Sequence, residues 1–165
     1  MSKEFSFDVV SELDFQEVDN AVNQTTREIA VRYDLKNSNS KIVLDKKSKH
    51  IEIGSQDEFK LKSVVDILQS KLVKRSISLE ALRFQKVVSS LGGSVSVTID
   101  MVDGLSDEET KAITKSLKRN KYKVKVKIDG DRLRISSQSK DSLQEAMGFI
   151  KSESWGVPLQ FTNYR

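Results

Sequence analysis

Five cations stand at alternate positions of two adjoining stretches, Lys123, Lys125 and Lys127 in the first and Arg132 and Arg134 in the second. Alternate residues of an extended chain share one face. Each stretch therefore presents its cations to one side and its apolar residues (Val124, Val126 and Ile128; Leu133 and Ile135) to the other. Ser94, Ser96 and Thr98 alternate in the same way with Val95, Val97 and Ile99. If the three stretches are strands of one sheet, its open face sets five cations beside three small hydroxyls. That combination suits an anion, because ammonium and guanidinium groups give charge-assisted hydrogen bonds to phosphate oxygens and hydroxyls complete the shell. The candidate ligand-binding set is Lys123, Lys125, Lys127, Arg132, Arg134, Ser96 and Thr98.

Like charges facing one another across strands repel by a few tenths to about 1 kcal/mol per pair. A ligand anion or a partner's carboxylates would offset that repulsion. Lysines on exposed strands also protect against edge-to-edge association, and this second reading stays open. Residues 111–134 hold ten basic and two acidic side chains, Asp129 and Asp131, within a chain of net charge +4. Lys111, Lys115 and Lys118 contribute to that excess at helical spacing opposite Ile113 and Leu117, and read as solubility charges.

The elements that would position these residues repeat. A shift of 82 residues lays Ile51-Glu52-Ile53-Gly54-Ser55-Gln56 over Leu133-Arg134-Ile135-Ser136-Ser137-Gln138, and pairs Leu61, Val64, Val65 and Leu68 with Leu143, Ala146, Met147 and Ile150. A strand of period 2 and a helix of period 3.6 both survive the shift, so the recurring object is a supersecondary unit. In the first copy Phe5, Phe7 and Val9 mark a strand. A helix capped by Asp14 follows, with Glu17 as capping-box partner. A hairpin over 41–53, a helix from about Gln56 to Lys74 and a weak strand over Leu79–Val88 complete it.

Gly92-Gly93 reads as the boundary. The second copy runs strand 95–99, helix Asp107–Asn120, strand Tyr122–Ile128, a turn at Asp129-Gly130-Asp131, strand Arg132–Ser136, helix Lys140–Ser152 and strand Leu159–Tyr164. The expected fold class is α+β, a tandem of two ferredoxin-like (RNP-like) domains over 1–91 and 92–165. Each would be a four-stranded antiparallel sheet with two helices on one face.

The 165-residue sequence has no cysteine, which excludes a disulfide framework, a thiol nucleophile and a thiolate-ligated metal. Its one histidine, His50, has no partner fixed by spacing and reads as a surface residue. There is no Gly-rich phosphate loop. Asp107-Glu108-Glu109 fits the first turn of a helix better than a metal site. The expectation is a protein without catalytic activity, cofactor or metal. No apolar run approaches the roughly 18 residues of a membrane span and Met1-Ser2-Lys3-Glu4 opens no signal peptide, so a cytoplasmic protein without a membrane partner is expected.

Aromatic residues are missing from both central hairpins, whose open faces offer His50 and Glu52 in one copy and Arg132 and Arg134 in the other. The aromatic signature of an RNA recognition motif is therefore absent. Guanidinium planes can stack on bases in its place.

Several strings together resemble the YajQ family of small bacterial proteins. They are Ser6-Phe7-Asp8-Val9-Val10-Ser11-Glu12, Arg32-Tyr33-Asp34-Leu35, Lys74-Arg75, Gly130-Asp131-Arg132-Leu133-Arg134-Ile135 with Lys140-Asp141-Ser142-Leu143-Gln144, and the C-terminal Gln160-Phe161-Thr162-Asn163-Tyr164-Arg165. The resemblance covers nearly the whole chain. It implies two ferredoxin-like domains, no established enzymatic activity and a nucleotide-binding role, with some members looking like cyclic di-GMP effectors and others associated with RNA. The sequence departs from the family at Gln138 and Ser139, where a basic residue is common, and at Ser76, where glycine is usual. The expected function is non-catalytic binding of a phosphate-bearing ligand, cyclic di-GMP or another nucleotide or RNA, in a regulatory role. The alternative is an interaction module whose basic face docks an acidic protein, such as a transcription factor.

Overall fold

Every long helix starts where a short polar side chain can accept from a backbone N–H that the helix leaves unpaired. In the computed structural model, which describes residues 3–165, Asp14 caps α1 (Phe15–Val31), Asp57 caps α2 (Glu58–Lys74), Ser106 caps α3 (Asp107–Arg119) and Ser139 caps α4 (Lys140–Ser152). Glu17 accepts from Asn20 and pairs with Arg75, a use the capping-box pattern did not foresee. The buried stripes follow the helical period: Val18, Ala21, Val22 and Ile29 on α1; Leu61, Val64, Leu68 and Leu72 on α2; Leu143, Ala146, Met147 and Ile150 on α4.

Among the described residues, nine strands join these helices. They are β1 (Phe5–Val10), β2 (Lys41–Asp45), β3 (His50–Ser55), β4 (Leu82–Phe84), β5 (Val88–Ser89), β6 (Val95–Met101), β7 (Lys125–Asp129), β8 (Arg132–Ser137) and β9 (Gln160–Thr162). All pairings are antiparallel and form two sheets, one ordered β7-β8-β1-β9 and the other β2-β3-β6-β4, with β5 also on β6. The protein is α+β. The expected strand over Leu79–Val88 is broken into a 3-10 turn at Leu79–Ala81 followed by β4, with β5 resuming the edge at Val88.

The division at 91/92 is corrected by these pairings. β1 belongs with β8 and β9, whereas β6 belongs with β3, β4 and β5. Among the described residues, one compact unit comprises residues 3–12 with Asp103–Arg165, and the other is Leu13–Val102. Gly92 and Gly93, both at positive φ, form a turn inside this second unit rather than a boundary. The physical reason is plain in the pattern: alternation gives a strand an apolar face but does not say which sheet will bury it. Phe5-Ser-Phe-Asp-Val and Val95-Ser-Val-Thr-Ile are equivalent by that criterion, and each completes the sheet formed by the other copy's hairpin. Taken in the order β1, α3, β7, β8, α4, β9, the first unit is compatible with the ferredoxin-like plan. The second has the same sheet order with its first strand moved to the end of the segment, as β6.

In the second unit Ile51 and Ile53 of β3 and Val95, Val97 and Ile99 of β6 pack in one cluster with the buried faces of α1 and α2. In the first, Phe7, Val9, Leu133 and Ile135 are fully buried. Among the described residues, no helix is long and apolar enough to cross a membrane.

Candidate anion-binding site

Lys125 stands opposite Ser136, Lys127 opposite Arg134 and Asp129 opposite Arg132 across β7 and β8, and Ser136 and Arg134 stand in turn opposite Ser6 and Asp8 of β1. The strand cations therefore share a face, as alternation requires. They share it with Asp8, which is only 1% exposed. Arg134 Nε donates to Asp8 Oδ1 at 3.1 Å and Asn163 Nδ2 donates to Asp8 Oδ2 at 3.0 Å. Arg132 Nη1 lies 3.5 Å from the same Oδ2, and its Nη2 donates to Glu12 Oε1 at 2.9 Å. Burial pushes the Asp8 carboxyl up, but the hydrogen bonds from Arg134 and Asn163 and the two guanidinium charges outweigh it and hold the group below its ordinary range. The same contact raises Arg134 further.

Both arginines are thus neutralised within the unit. Sequence reasoning missed this because it placed β1 in the other domain. Ser96 and Thr98 are a further correction: they lie on β6, opposite Gly54 and Glu52, in the sheet that lacks β7 and β8. They do not join the strand cations on one face.

The lysines differ from the arginines. Lys123 precedes β7, and Lys123 and Lys125 line a cleft of about 520 Å³ at one end of the first unit. Ser136, Ser137, Ser139 and Ser142 supply its hydroxyls, Tyr122 a wall, and Glu4 its one acidic side chain. The Tyr122 ring rests on Phe149 at 5.1 Å, and Phe149 packs edge-on against Trp155. The chain is held in place locally, since Ser137 Oγ donates to Lys123 O at 3.0 Å and accepts from Ser139 N at 3.1 Å. Ser139 Oγ in turn accepts from Ser142 N. The first turn of α4 therefore borders the cleft, with the positive end of its dipole on the same side as the lysines.

The second unit provides a comparison within the same molecule. By the hairpin register Lys41, opposite Gly54, takes the place of Lys125, opposite Ser136, and Val43 that of Lys127, so that Asn39 falls at the position of Lys123; beyond the turn the 82-residue shift places Ser55 for Ser137, Asp57 for Ser139 and Lys60 for Ser142. There, Ser55 shares a hydrogen bond with Ser40 at 2.8 Å, Lys60 Nζ donates to Asp34 O at 2.9 Å, and the helix is capped by the Asp57 carboxylate. The matching positions thus hold two lysines as well, Lys41 and Lys60, but Lys60 is engaged by a backbone carbonyl and the cap is a carboxylate instead of a hydroxyl.

The sequence matches a family model described as nucleotide-binding protein YajQ-like over residues 5–165. The chain belongs to the YajQ family. Its relatives include proteins named nucleotide-binding protein in Chloroherpeton thalassium, 50% identical over the whole of both chains, and in Carboxydothermus hydrogenoformans, 46% identical over the whole of both chains. A third, from Geotalea uraniireducens, is 47% identical over 97% of this chain and 98% of its own.

The residues missed by sequence reasoning carry a signal within the YajQ chain. Ser136-Ser137-Gln138-Ser139 leads directly into α4, so a serine run ending in an N-cap lies beside two alternating lysines. Asp8 interrupts the apolar alternation of Phe7 and Val9 only on the open face. Nothing local in the sequence marks it as the partner of Arg132 and Arg134, 124 and 126 positions away.

Proposed function

We propose that this member of the YajQ family is a non-catalytic nucleotide-binding protein. Its ligand's phosphate would lie in the cleft of the first unit against Lys123 and Lys125. The observation that carries the reading is the difference between the two units: a hydroxyl helix cap beside Lys123 and Lys125 in one, and in the other a carboxylate cap with Lys60 tied to the Asp34 carbonyl. The names of the relatives support the same ligand class. A bounded cleft of about 520 Å³ falls within the usual range for small-molecule sites. That favours a cyclic dinucleotide, cyclic di-GMP, or a mononucleotide over RNA, and the reading includes a regulatory role as a nucleotide sensor. Lys127, Arg132 and Arg134 stand behind the cleft as a secondary basic surface, with the arginines held by Asp8 and Glu12.

Calorimetric titration with GTP, cyclic di-GMP and a short single-stranded RNA tests the proposal, using the wild-type chain and the Lys123→Ala/Lys125→Ala variant. The expected outcome is saturable nucleotide binding that the double substitution removes. Tighter RNA binding would move the site onto the wider basic face. Binding of neither nucleotide nor RNA at low salt would favour docking of an acidic protein instead.

A further inference from the structure

The second unit contains an aromatic-ring slot whose counterpart in the first unit is partly covered by that unit's own Tyr164, a side chain still 58% exposed. In the first unit Phe161 of β9 stands opposite Val9 of β1, and Thr162 opposite Asp8. The backbone then gains one residue, Asn163, at positive φ, before Arg165 exchanges both backbone hydrogen bonds with Ser6. This is a β-bulge. In the second unit Phe84 of β4 stands opposite Ile99 of β6, Gln85 N donates to Thr98 O, and Val88 stands opposite Ser96. One extra residue again separates the two pairings. Through the common hairpin register, Val9 corresponds to Ile99, because Leu133 and Ile51 are their respective partners; likewise Phe7 corresponds to Val97. Phe84 therefore corresponds to Phe161, and Val87 to Tyr164.

The Tyr164 ring lies 6.4 Å from the ring of Phe7, and its hydroxyl donates to Met147 Sδ at 3.7 Å. The 82-residue shift makes Val65 the counterpart of Met147. All three partners of that aromatic contact are smaller in the second unit: valine replaces tyrosine, phenylalanine and methionine. A groove of about 320 Å³ lies at the corresponding place, lined by Leu61, Val65, Phe84, Val87 and Val97. Glu58 and Lys62 of α2 and Gln85 of the edge segment complete its rim. The backbone ledge beside β6 is already taken by β4, the bulge and β5, so what is open is a side-chain slot rather than a strand position.

We propose that this groove is a binding site for a small molecule with a planar aromatic ring and a polar edge. The ring would take the place that Tyr164 takes in the first unit, with its edge toward Glu58, Lys62 and Gln85. Burying aromatic surface in an apolar groove of this size, with a few polar groups at the mouth, has the composition of a ligand pocket. A phenolic compound and a nucleobase offer the same chemistry. They are separated by testing p-cresol, the tyrosine side chain in free form, against guanosine and adenosine. The site lies in the second unit and does not depend on the phosphate cleft.

The test follows valine and leucine methyl resonances of the full chain during titration. Saturable shifts at Val65, Val87 and Val97 are expected with p-cresol, with a nucleoside, or with both, and smaller ones with cyclohexanol, which has similar size without the flat ring. Val87→Tyr should supply the missing ring from within, raise the melting temperature and abolish the shifts at Val65 and Val97. Val87→Ala, which only widens the slot, should keep them. The proposal is overturned if no aromatic probe moves these methyls, if cyclohexanol binds as well as p-cresol, or if folded Val87→Tyr protein binds the probe unchanged.

Discussion

Asp8 and Arg134 face each other across β1 and β8, and the arginine Nε donates to the carboxylate at 3.1 Å, although 126 positions separate them in the chain. The pair joins the start of the first unit to the hairpin that follows the second. Its carboxylate is buried while both arginines that contact it are about a third exposed, with side-chain exposures of 35% for Arg132 and 37% for Arg134. Solvent screens the arginine ends, so the contact contributes less than a fully buried ion pair would.

Asp8→Asn should destabilise the protein by about 1.5–3 kcal/mol, the range for a hydrogen-bonded charged group whose partners lose their anion. The pH dependence has a definite sign. The folded carboxyl sits below its ordinary value, so its contribution is fully present above the unfolded value of about 3.9 and is lost as pH falls below it toward the folded one. Urea midpoints measured from pH 7 down to pH 3 should therefore fall more steeply for the wild type than for Asp8→Asn. Parallel curves would show that the Asp8 contact does not contribute to acid stability.

Lys125→Ala should weaken nucleotide binding by roughly 1.5–3 kcal/mol, about tenfold or more, with little change in melting temperature, because Lys125 is exposed and lines the cleft. Arg134→Ala should do the reverse, lowering stability through the orphaned Asp8 while sparing most of the affinity. Equal affinity losses in the two variants would place the ligand on the arginine face instead of in the cleft.

Salt distinguishes a small nucleotide from a polyanion. A single strand tracking the basic face loses affinity with log salt at a slope of about −0.7 per neutralised phosphate. A ligand confined to the cleft meets two lysines and should show a much shallower slope. Titrations of cyclic di-GMP and of RNA at several ionic strengths would reveal which pattern holds.

Ser76 closes α2 at φ 64°, with Ile77 N donating back to Leu72 O across the helix end. A left-handed residue at this place favours glycine, which lacks the Cβ that makes the conformation costly. Ser76→Gly should raise stability by about 0.5–1 kcal/mol even after glycine's larger entropy loss on folding. A denaturant melt showing an unchanged or lower midpoint would contradict this.

How far the sequence reaches can be judged element by element. α4 begins at Lys140 and ends at Ser152 as expected, because a serine cap, an apolar stripe and the glycine and proline beyond it all agree. The hairpins at Asp45–His50 and Asp129–Arg132 were legible for the same reason. The exchange of β1 and β6 was not, since two half-buried strands of identical patterning compete for equivalent places. That one ambiguity removed Ser96 and Thr98 from the candidate site and hid Asp8. Alternation correctly put Lys125 and Lys127 on one face, but only the closed hairpin and the α4 cap show that Lys123 and Lys125, rather than the arginines, border a cleft.

The helix cap provides the most selective test of the phosphate cleft. Ser139 accepts from Ser142 N and borders the cleft, whereas the matching residue of the second unit is Asp57, which caps α2 by accepting from Lys60 N at 2.8 Å. Aspartate and serine are nearly equivalent as caps, so Ser139→Asp should leave helix stability close to wild type. It also places a full negative charge beside the lysines. Repulsion of a phosphate by that charge, partly screened at the mouth of the cleft, should cost about 1–2 kcal/mol, or roughly tenfold in affinity. Ser139→Asn, an equally good cap without the charge, should bind normally. Loss of binding in the aspartate variant with retention in the asparagine variant, both with wild-type melting temperatures, is the expected result. Equal affinity in both would mean that the phosphate does not approach the first turn of α4.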